Sequence, residues 1–371
     1  MHKPIAITMG DPGGIGPEIV LKCYLKSQDR PEFHKLMQGT FIVGDILHLE
    51  RAKRSLGDQG ASRLCLKQIS NIQDAQLEEF SKHSANGCVN VPVLSVNTQT
   101  HIETQIAQDK TDSQNENALA PIAQVSAQAG QIAAANILWG ARAALRGEVG
   151  ALVTAPINKQ SLNSAGITFP GHTEMLQFAA AEHLGVSVDQ VPVRMMLVNS
   201  ELRVVLVSIH LSLRAAIEQV TQDNIIQTVK ITHSSLLKLL GRSPRIAVAG
   251  LNPHSGEGGL MGAEELEIIA PALERAQTMQ GEMNLSGPFA PDTVFMQARE
   301  GAFDVVIAMY HDQGLIPIKY MGLDQGVNVT LGLPMIRTSP DHGTAYEIAG
   351  QGIADPASMW ASVELARALV G

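Results

Sequence analysis

The sequence contains few aromatic residues, few charged residues and no block of lysine and arginine residues. Aromatic side chains make up 4% of its 371 residues, charged side chains 17%, and the formal net charge is −9. A protein that binds nucleic acid needs a basic surface for the phosphates and often uses aromatic rings to stack on the bases. We therefore do not expect nucleic acid as a partner.

Long hydrophobic runs are also absent. No apolar run approaches the roughly 20 residues that a membrane-spanning helix needs. The first run, in MHKPIAITMGDPGG, stops at Gly10 and is too short for a secretory signal peptide. The sequence therefore predicts a cytoplasmic protein without a membrane segment.

Cysteine is scarce and shows no metal-binding spacing. The three cysteines are Cys23, Cys65 and Cys88, and none of them forms a C-x-x-C motif. An odd number of widely spaced cysteines is typical of reduced thiols in a cytosolic protein. We expect neither a disulfide nor a structural zinc site.

The residues that are abundant indicate an α/β fold. Hydrophobic residues make up 45% of the chain, and short apolar runs alternate with longer segments of helical periodicity. The predicted strands cover residues 5–9, 40–43, 150–154, 245–251 and 305–309, a predicted hairpin covers 195–209, and predicted helices cover 126–146 and 264–279. Residues 97–122 are polar without periodicity, which predicts a surface insertion.

Three histidines follow three predicted strands. His210 follows LRVVLVSI, His254 follows RIAVAGLNP and His311 follows VVIAMY. Open α/β sheets bind ligands at the carboxyl ends of their strands. Three imidazoles and an open coordination position suit a catalytic Zn²⁺ or a related divalent ion. A single histidine is more often a surface or core residue, so spacing alone leaves both interpretations open.

Residues suited to a small anion lie near these histidines. Lys319, Asn328 and Arg337 follow His311 within 26 residues, each between Gly, Pro or apolar residues. Two cations and an amide suit a phosphate ester. In Gly171-His172-Thr173-Glu174, the free N–H groups of a new helix and the Thr173 hydroxyl suit an anion as well. The structural alternative is that Thr173 is only the helix N-cap.

Two aspartates and one lysine are candidates for the catalytic base. Asp292 lies in APDT and Asp312 lies beside His311, although most aspartates at loop entries cap helices or face solvent. Lys319 is the third candidate. The glycine loops GGIGPE and NPHSGEGG match neither a Walker loop nor G-x-G-x-x-G, so an ordinary Rossmann nucleotide site is not supported.

Nine sequence blocks, taken in order, resemble the 4-hydroxythreonine-4-phosphate dehydrogenase family of pyridoxal phosphate biosynthesis. The blocks are MGDPGGIGPE, TAPINK, PGHTE, HLSLR, GLNPHSGEGGLMGAEE, APDT, AMYHDQGLIPIK, GVNVTLGLP and IRTSPDHGTA. The two terminal blocks also resemble the wider isocitrate and isopropylmalate dehydrogenase superfamily. The polar segment at 97–122 is longer than the family pattern requires.

The resemblance implies a two-domain α/β fold of the isocitrate/isopropylmalate dehydrogenase type with an interdomain cleft. It implies a first domain of residues 1–155 plus 305–371, which carries the cofactor loop. A second domain of residues 156–304 would carry metal ligands and dimer contacts. In this family the metal site is completed across a homodimer interface, so a homodimer is expected.

The resemblance also implies roles for individual residues. It implies metal ligands at His210, His254 and His311, for a metal that could be Zn²⁺, Mg²⁺, Mn²⁺ or Co²⁺. It implies substrate contacts from His172, Thr173, Lys319, Asn328 and Arg337, and cofactor contacts from Asp341, His342, Gly343, Thr344 and Glu347. A carboxylate at Glu347 would accept hydrogen bonds from a ribose 2′-OH and repel a 2′-phosphate. NAD is therefore expected in preference to NADP.

The expected reaction is metal-assisted oxidation of a secondary alcohol on a phosphorylated hydroxy-amino acid, with nicotinamide as hydride acceptor. The β-keto acid formed would then lose CO₂. The nearest alternative is a sister dehydrogenase for threonate or erythronate 4-phosphate. A more distant alternative is a metal-dependent phosphatase or lyase, which would leave the cofactor block HGTAYEIAG unexplained. Another is a non-catalytic phospho-ligand-binding protein, which would not need three strand-end histidines.

Overall fold

The computed structural model describes residues 3–81, 87–96, 119–280, 283–322 and 325–370. Residues 97–118, and with them most of the predicted insertion, lie outside the described residues. The chain forms two compact units. The first unit is Met1–Val191 with Leu333–Gly371, and the second is Pro192–Gly332.

Strands and helices alternate along the chain, so the α/β fold class predicted from the sequence is confirmed. The strands are β1 Ile5–Thr8, β2 Thr40–Val43, β3 Leu64–Gln68, β4 Val89–Leu94, β5 Ala151–Thr154, β6 Arg194–Val198, β7 Arg203–Leu206, β8 Arg245–Ala249, β9 Asn284–Phe289, β10 Val305–Ala308, β11 Val327–Leu331 and β12 Ile336–Pro340.

The α-helices surround these strands. They are α1 Gly16–Lys26, α2 Pro31–Met37, α3 Ile46–Ser55, α4 Gly57–Ser62, α5 Glu78–Ser81, α6 Ala127–Leu145, α7 Lys159–Ser164, α8 His172–Leu184, α9 Leu213–Glu218, α10 Gln222–Leu240, α11 Ala270–Gln280, α12 Pro291–Arg299, α13 His311–Tyr320 and α14 Ala357–Val370. Among the described residues, no helix combines the length and the apolar character needed to cross a membrane.

The first unit is built on parallel strands in the order β3-β4-β2-β1-β5-β12. Its central strands are buried along their whole length, as parallel strands covered on both faces must be. Ile5 and Ile7 face one core with α1, α3 and α14, and Ala6 faces a second core with α6 and α8. This alternation follows from the two-residue period of a strand.

Residues after β12 are bound to the first helix of the chain. The Glu18 carboxylate accepts hydrogen bonds from the backbone N–H groups of Gly352 and Ala354, at 3.2 and 2.7 Å. Lys22 Nζ donates to the carbonyls of the same two residues, at 2.9 and 2.6 Å. Glu18 is buried and Lys22 is partly buried, and the two form an ion pair with Lys22 Nζ 2.9 Å from Glu18 Oε1. The carboxyl-terminal segment is therefore an integral part of the first unit.

The second unit has strands in the order β11-β6-β7-β10-β8-β9. Strand β6 is antiparallel to β7 and to β11, and the remaining pairs are parallel. The predicted hairpin is thus confirmed as β6–β7. In the core of the second unit, α12 and α13 pack against β7, β8 and β10.

The boundaries of the compact units differ from those of the predicted domains. The predicted first domain was 1–155 plus 305–371, whereas the units divide after Val191 and after Gly332. Strand β10 pairs with β7 and β8, so it belongs to the second unit. Helix α8 packs against α6, so it belongs to the first. The domain bounds implied by the resemblance therefore do not coincide with those of the compact units, because pairing within a sheet decides to which unit a strand belongs.

Two cysteines form a disulfide, so the prediction of reduced thiols is wrong for them. Cys65 and Cys88 are bonded with their Cα atoms 5.9 Å apart. Strands β3 and β4 are parallel neighbours with Leu64 opposite Val89, which brings the two cysteines to adjacent positions. Cys23 is a free thiol, and its burial raises its pKa to about 12.

Candidate active site

The predicted site residues are divided between the two units. The first unit holds the predicted anion and cofactor residues His172, Thr173, Arg337, Asp341, His342, Gly343, Thr344 and Glu347, and the second holds His210, His254, Asp292, His311, Asp312, Lys319 and Asn328.

Arg337 is a buried cation in the first unit. It lies on β12 with 3% of its surface exposed. Its Nε and Nη2 atoms donate to Thr154 Oγ1 at 3.1 and 2.8 Å, at the end of β5. Burial lowers its pKa to about 10, which still leaves the guanidinium charged at neutral pH. A buried charge of this kind is costly unless an anion or hydrogen-bond partners compensate it, so the position suits an anionic ligand.

His172 presents an unpartnered nitrogen near this cation. Its Nε2 atom is buried and has no hydrogen-bond partner among the described residues. Its ring also hydrogen-bonds the backbone of Ala155. Burial, and then the charge of Arg337, hold the pKa of His172 well below its usual value, so the ring is neutral at physiological pH. Buried polar atoms are rarely left unpaired, and an incoming polar group would satisfy this one.

Helix α8 begins at His172, and this places Thr173 in its first turn. Gly171 occupies the N-cap position, without a side-chain cap. The structural alternative in which Thr173 is the N-cap is therefore wrong. The free N–H groups of the first turn, which a side chain does not cap, are available to an anion.

Replacing His172 with glutamine should reduce the loss of stability on acidification. The unfolded imidazole takes up a proton near pH 6.5, whereas the folded pKa lies well below that value. Below about pH 6.5 the unfolded state therefore binds more protons, and the free energy of unfolding falls by up to about 1.4 kcal/mol per pH unit. The denaturant midpoint of the variant should fall less than that of the wild type between about pH 7.5 and about pH 5.5.

The matched control for this experiment is His183→Gln. His183 is exposed on the same helix, so this variant should follow the wild type at every pH. If His172→Gln lost as much stability as the wild type on acidification, His172 would not be held neutral in the folded state.

The predicted cofactor residues form a loop that packs on the glycine loop after β1. Ile15 N–H donates to Thr344 O at 3.0 Å. A Cβ at Gly14 would lie 2.8 Å from the Thr344 side chain, so only glycine allows this approach. Glu347 is exposed, as are His342 and Gly343, and Asp341 is partly buried with its N–H donating to Ser358 Oγ at 3.3 Å.

A buried hydrogen-bond network fixes this loop. Tyr346 Oη donates to Asp11 Oδ2 at 2.8 Å and lies 3.2 Å from Ser161 Oγ. The other Asp11 oxygen accepts from Gly13 N–H at 2.7 Å. Sequence reasoning singled out neither Asp11 nor Tyr346. The available signal was a carboxylate within the glycine loop at the carboxyl end of β1.

In the second unit, two of the three predicted metal ligands lie together. The rings of His210 and His311 have centroids 5.8 Å apart. Both line a cavity of about 200 Å³ that also contains Ser208, Tyr310 and Asp312. His210 adopts a left-handed backbone conformation, with φ at 51°. Non-glycine residues are rarely held in this region unless the surrounding structure requires it.

His254 does not join that pair in a complete metal site. Within the described ranges of the single chain, no three His, Cys, Asp or Glu side chains are grouped as metal ligands. Two adjacent imidazoles fit part of the ligand set of a divalent ion, which usually takes at least three protein ligands in a catalytic site. One chain by itself therefore fits the predicted metal incompletely.

The loop that carries His254 is held in an unusual conformation. Residues 254–258 all have positive φ, which includes the non-glycine residues His254, Ser255 and Glu257. Glu265, which is 2% exposed, accepts hydrogen bonds from the N–H groups of Leu251 and Asn252, both at 2.7 Å. Burial raises the pKa of Glu265, but hydrogen bonds from Asn252 and the backbone outweigh it and lower the pKa below its usual value.

The predicted catalytic residues lie around His311 on one helix and its neighbour. Asp312 Oδ1 lies 2.7 Å from His311 Nδ1. His311, Asp312 and Lys319 line one surface depression of about 340 Å³. Asp292 and Asp312 line a second one, of about 500 Å³. Asp312 and Lys319 therefore open onto space beside His311, whereas Asp292 shares its depression with Asp312 and not with His311.

Asn328 lies apart from these depressions. It is partly buried on β11, where it pairs with Leu197 of β6. Asn328 therefore lies on a strand of the second unit, whereas His311 and Lys319 lie on helix α13.

Comparison with known proteins identifies the family. The family model of pyridoxal phosphate biosynthetic protein PdxA matches residues 41–366. A 4-hydroxythreonine-4-phosphate dehydrogenase of Beijerinckia indica subsp. indica is 43% identical over 370 residues, which cover 100% of this chain and 96% of the relative. A D-threonate 4-phosphate dehydrogenase of Pectobacterium atrosepticum is 40% identical over 371 residues, with both chains covered completely.

A solved structure agrees with the sequence comparisons. The 4-hydroxythreonine-4-phosphate dehydrogenase of Klebsiella pneumoniae matches with a TM-score of 0.77 at 36% identity, over 100% of this chain and 98% of that one. The resemblance stated from nine sequence blocks is therefore confirmed. The chain belongs to the family of pyridoxal phosphate biosynthetic protein PdxA.

Proposed function

We propose that this chain is an NAD-dependent dehydrogenase that oxidises 4-hydroxythreonine 4-phosphate (4-phosphooxy-L-threonine) in pyridoxine 5′-phosphate biosynthesis. The product, 2-amino-3-oxo-4-phosphooxybutanoate, would lose CO₂ to give 3-amino-2-oxopropyl phosphate. The observation that carries the proposal is the pair formed by buried Arg337 and the unpartnered Nε2 of His172. The relative that is 43% identical over the whole chain carries the same activity in its name.

The phosphate would be held by the first unit. Arg337 offers a guanidinium whose Nε and Nη2 atoms donate to the hydroxyl oxygen of Thr154, so the planar fork is oriented at the end of β5. Arginine forks match phosphate oxygens geometrically. Thr173 and the first turn of α8 would add neutral donors. The family resemblance also implies substrate contacts from Lys319 and Asn328, which belong to the second unit.

A divalent ion would be held by His210 and His311, with His254 as the third family ligand and a homodimer completing the site. The close approach of the first two rings supports this proposal. Such an ion lowers the pKa of a bound hydroxyl and polarises the carbonyl formed from it. Asp292, Asp312 or Lys319 would take the hydroxyl proton. Asp312 and Lys319 line a depression with His311, and Asp292 lines one with Asp312. We propose Zn²⁺, Mg²⁺, Mn²⁺ or Co²⁺ as the ion.

The nicotinamide cofactor would bind the loop from Asp341 to Glu347. Gly343 is exposed, and no atom lies within 4 Å of the position that a Cβ would occupy, so a ligand can approach the backbone closely there. The exposed Glu347 carboxylate would accept from a ribose 2′-OH and repel a 2′-phosphate. We therefore propose NAD in preference to NADP. We also propose a cytoplasmic location.

The second candidate function is oxidation of D-threonate 4-phosphate. The relative from Pectobacterium atrosepticum is named D-threonate 4-phosphate dehydrogenase. It is 40% identical to this chain, and the match covers the full length of both proteins. Both substrates carry a phosphate and a secondary alcohol, so the residues proposed above serve either one. Contacts to the substrate amino group would distinguish them.

A substrate panel tests the proposal. The purified chain is stripped with a chelator, resupplied with one divalent ion at a time, and assayed for NAD reduction by absorbance. We expect the largest kcat/KM with 4-phosphooxy-L-threonine, a smaller value with D-threonate 4-phosphate or D-erythronate 4-phosphate, and a lower value with NADP. A larger kcat/KM with D-threonate 4-phosphate or D-erythronate 4-phosphate would show that the chain is the sister dehydrogenase for that sugar-acid phosphate. Phosphate release without NAD reduction would overturn the dehydrogenase proposal altogether.

A further inference from the structure

A second cavity of the second unit lies at the opposite ends of the strands that lead to the histidines. It has a volume of about 190 Å³ and its charged lining residues are Glu201, Arg203, Arg245, Arg299 and Asp304. Arg203 and Arg245 are the first residues of β7 and β8, and Asp304 directly precedes β10. These three strands are parallel, and the candidate metal ligands follow their carboxyl ends. The cavity is therefore distinct from the candidate active site.

The carboxylates of this cavity are already neutralised. Asp304 receives hydrogen bonds from Arg242 at 2.7 and 2.8 Å and from Arg245 at 2.9 and 3.2 Å. The Arg242 guanidinium, with Arg245, holds the pKa of Asp304 far below its usual range. Glu201 is paired with Arg299. Four arginines thus meet two carboxylates, which leaves two positive charges in excess on a chain with a net charge of −9.

Arg203 is the arginine that these carboxylates leave unsatisfied. Among the described residues, its Nη1 atom donates only to the backbone oxygen of Asp304, at 3.4 Å. Its Nε atom is buried and has no hydrogen-bond partner in the part of the chain that the structure describes. A buried guanidinium donor without a partner is unusual, since buried donors are almost always paired.

We propose that this cavity binds a small dianion, either inorganic phosphate or the phosphate group of a small monoester. Arginine forks bind phosphate oxygens in pairs, and Arg203 and Arg299 both line the cavity. The cavity is smaller than the roughly 300 Å³ at which pockets for drug-sized ligands begin, so it fits a phosphate-sized group and excludes a nucleotide. This site does not depend on the proposed dehydrogenase reaction.

Protection from an arginine-specific reagent tests the site directly. The full chain is treated with phenylglyoxal at constant ionic strength, with chloride or with inorganic phosphate, and modification of each arginine is followed by peptide mass spectrometry. We expect phosphate to slow the modification of Arg203 and Arg299 several-fold and in a saturable manner. Arg275, an exposed arginine of the same unit that donates to Gln222, is the control and should react at the same rate in both salts.

The variant Arg203→Gln separates binding from a general salt effect. In this variant phosphate should no longer protect Arg299, while thermal unfolding checks that the fold is retained. If the variant does not fold, the wild-type protection experiment still decides. Unchanged rates at Arg203 and Arg299, or equal protection of Arg275, would overturn the proposal, and so would full protection of Arg299 in a folded Arg203→Gln variant. Glycerol 3-phosphate used in place of phosphate identifies the source, because the anion that protects at the lower concentration is the better ligand.

Discussion

Replacing Arg337 with methionine is expected to lower kcat/KM for the phosphorylated substrate by roughly a hundred-fold to several-thousand-fold. Removing one partner of a buried charge pair costs about 3–5 kcal/mol, and each 1.4 kcal/mol or so corresponds to about a factor of ten. The phosphate is carried by the carbon next to the reacting one and takes no part in the hydride transfer. Because its anchoring positions the reacting carbon, kcat should fall together with affinity. Steady-state kinetics with NAD reduction as the readout measures the effect.

Two comparisons make the Arg337 experiment specific. Arg367→Met is the control, since Arg367 is a partly buried arginine of the same unit that donates to the carbonyls of Leu36 and Gln38. That variant should lose stability and keep its kcat/KM. The unphosphorylated alcohol 4-hydroxythreonine should be affected little by Arg337→Met. An equal loss with both substrates would show that Arg337 does not bind the phosphate.

Replacing His311 or His210 with alanine is expected to abolish metal-dependent turnover. Loss of an outer-shell partner of a metal site typically costs about 10–100-fold in metal affinity, and loss of a direct ligand should reach or exceed the upper value. Titration calorimetry with Zn²⁺ or Co²⁺ on the chelated protein measures the affinity, and NAD reduction measures turnover. His233→Ala is the control. His233 lies on α10 with its Nε2 atom 3.4 Å from Ser243 Oγ, and it does not line the cavity that holds His210 and His311.

The metal prediction has a second independent check. Exhaustive chelation of the wild type should remove turnover, and addition of one divalent ion should restore it. Near-normal activity after chelation would remove the metal from the mechanism, even if His311→Ala and His210→Ala were inactive for another reason. Normal metal affinity in both variants would remove these two residues from the ligand set.

Much of the fold could be predicted because its signals are local. The buried runs IAIT, TFIV and ALVT became β1, β2 and β5 as predicted, since a strand covered on both faces is apolar throughout. The hairpin of β6 and β7 was readable from two apolar runs around a short turn. The unit boundaries were not readable, because the place of β10 depends on pairing with strands roughly 60 and 100 residues earlier in the chain.

The disulfide was missed for the same reason. Cys65 and Cys88 are separated by 23 residues, and only the parallel pairing of β3 with β4 makes them neighbours. Composition and spacing do not encode that register. The inference from an odd cysteine count was sound for Cys23 and wrong for the other two.

Many residues of the candidate site could be named from the sequence, but their contacts with one another could not. Strand-end histidines and isolated cations could be found in the sequence, and the structure brings His210 near His311 and Arg337 near His172. The supporting residues Glu265, Asp11 and Tyr346 were not found. Their roles come from contacts with distant backbone groups and side chains, for which the sequence has no periodic signal.

The interrupted first unit has a consequence for how the chain is made. Residues 192–332 are contiguous, so the second unit can form during synthesis as soon as they leave the ribosome. The first unit needs β12, α14 and the hydrogen bonds of Glu18 and Lys22 to Gly352 and Ala354. It therefore cannot be completed until the carboxyl-terminal residues have been synthesised. Until then, the open edge of β5 and the apolar face destined for α14 are exposed to solvent, and this is the nascent form that a chaperone would recognise.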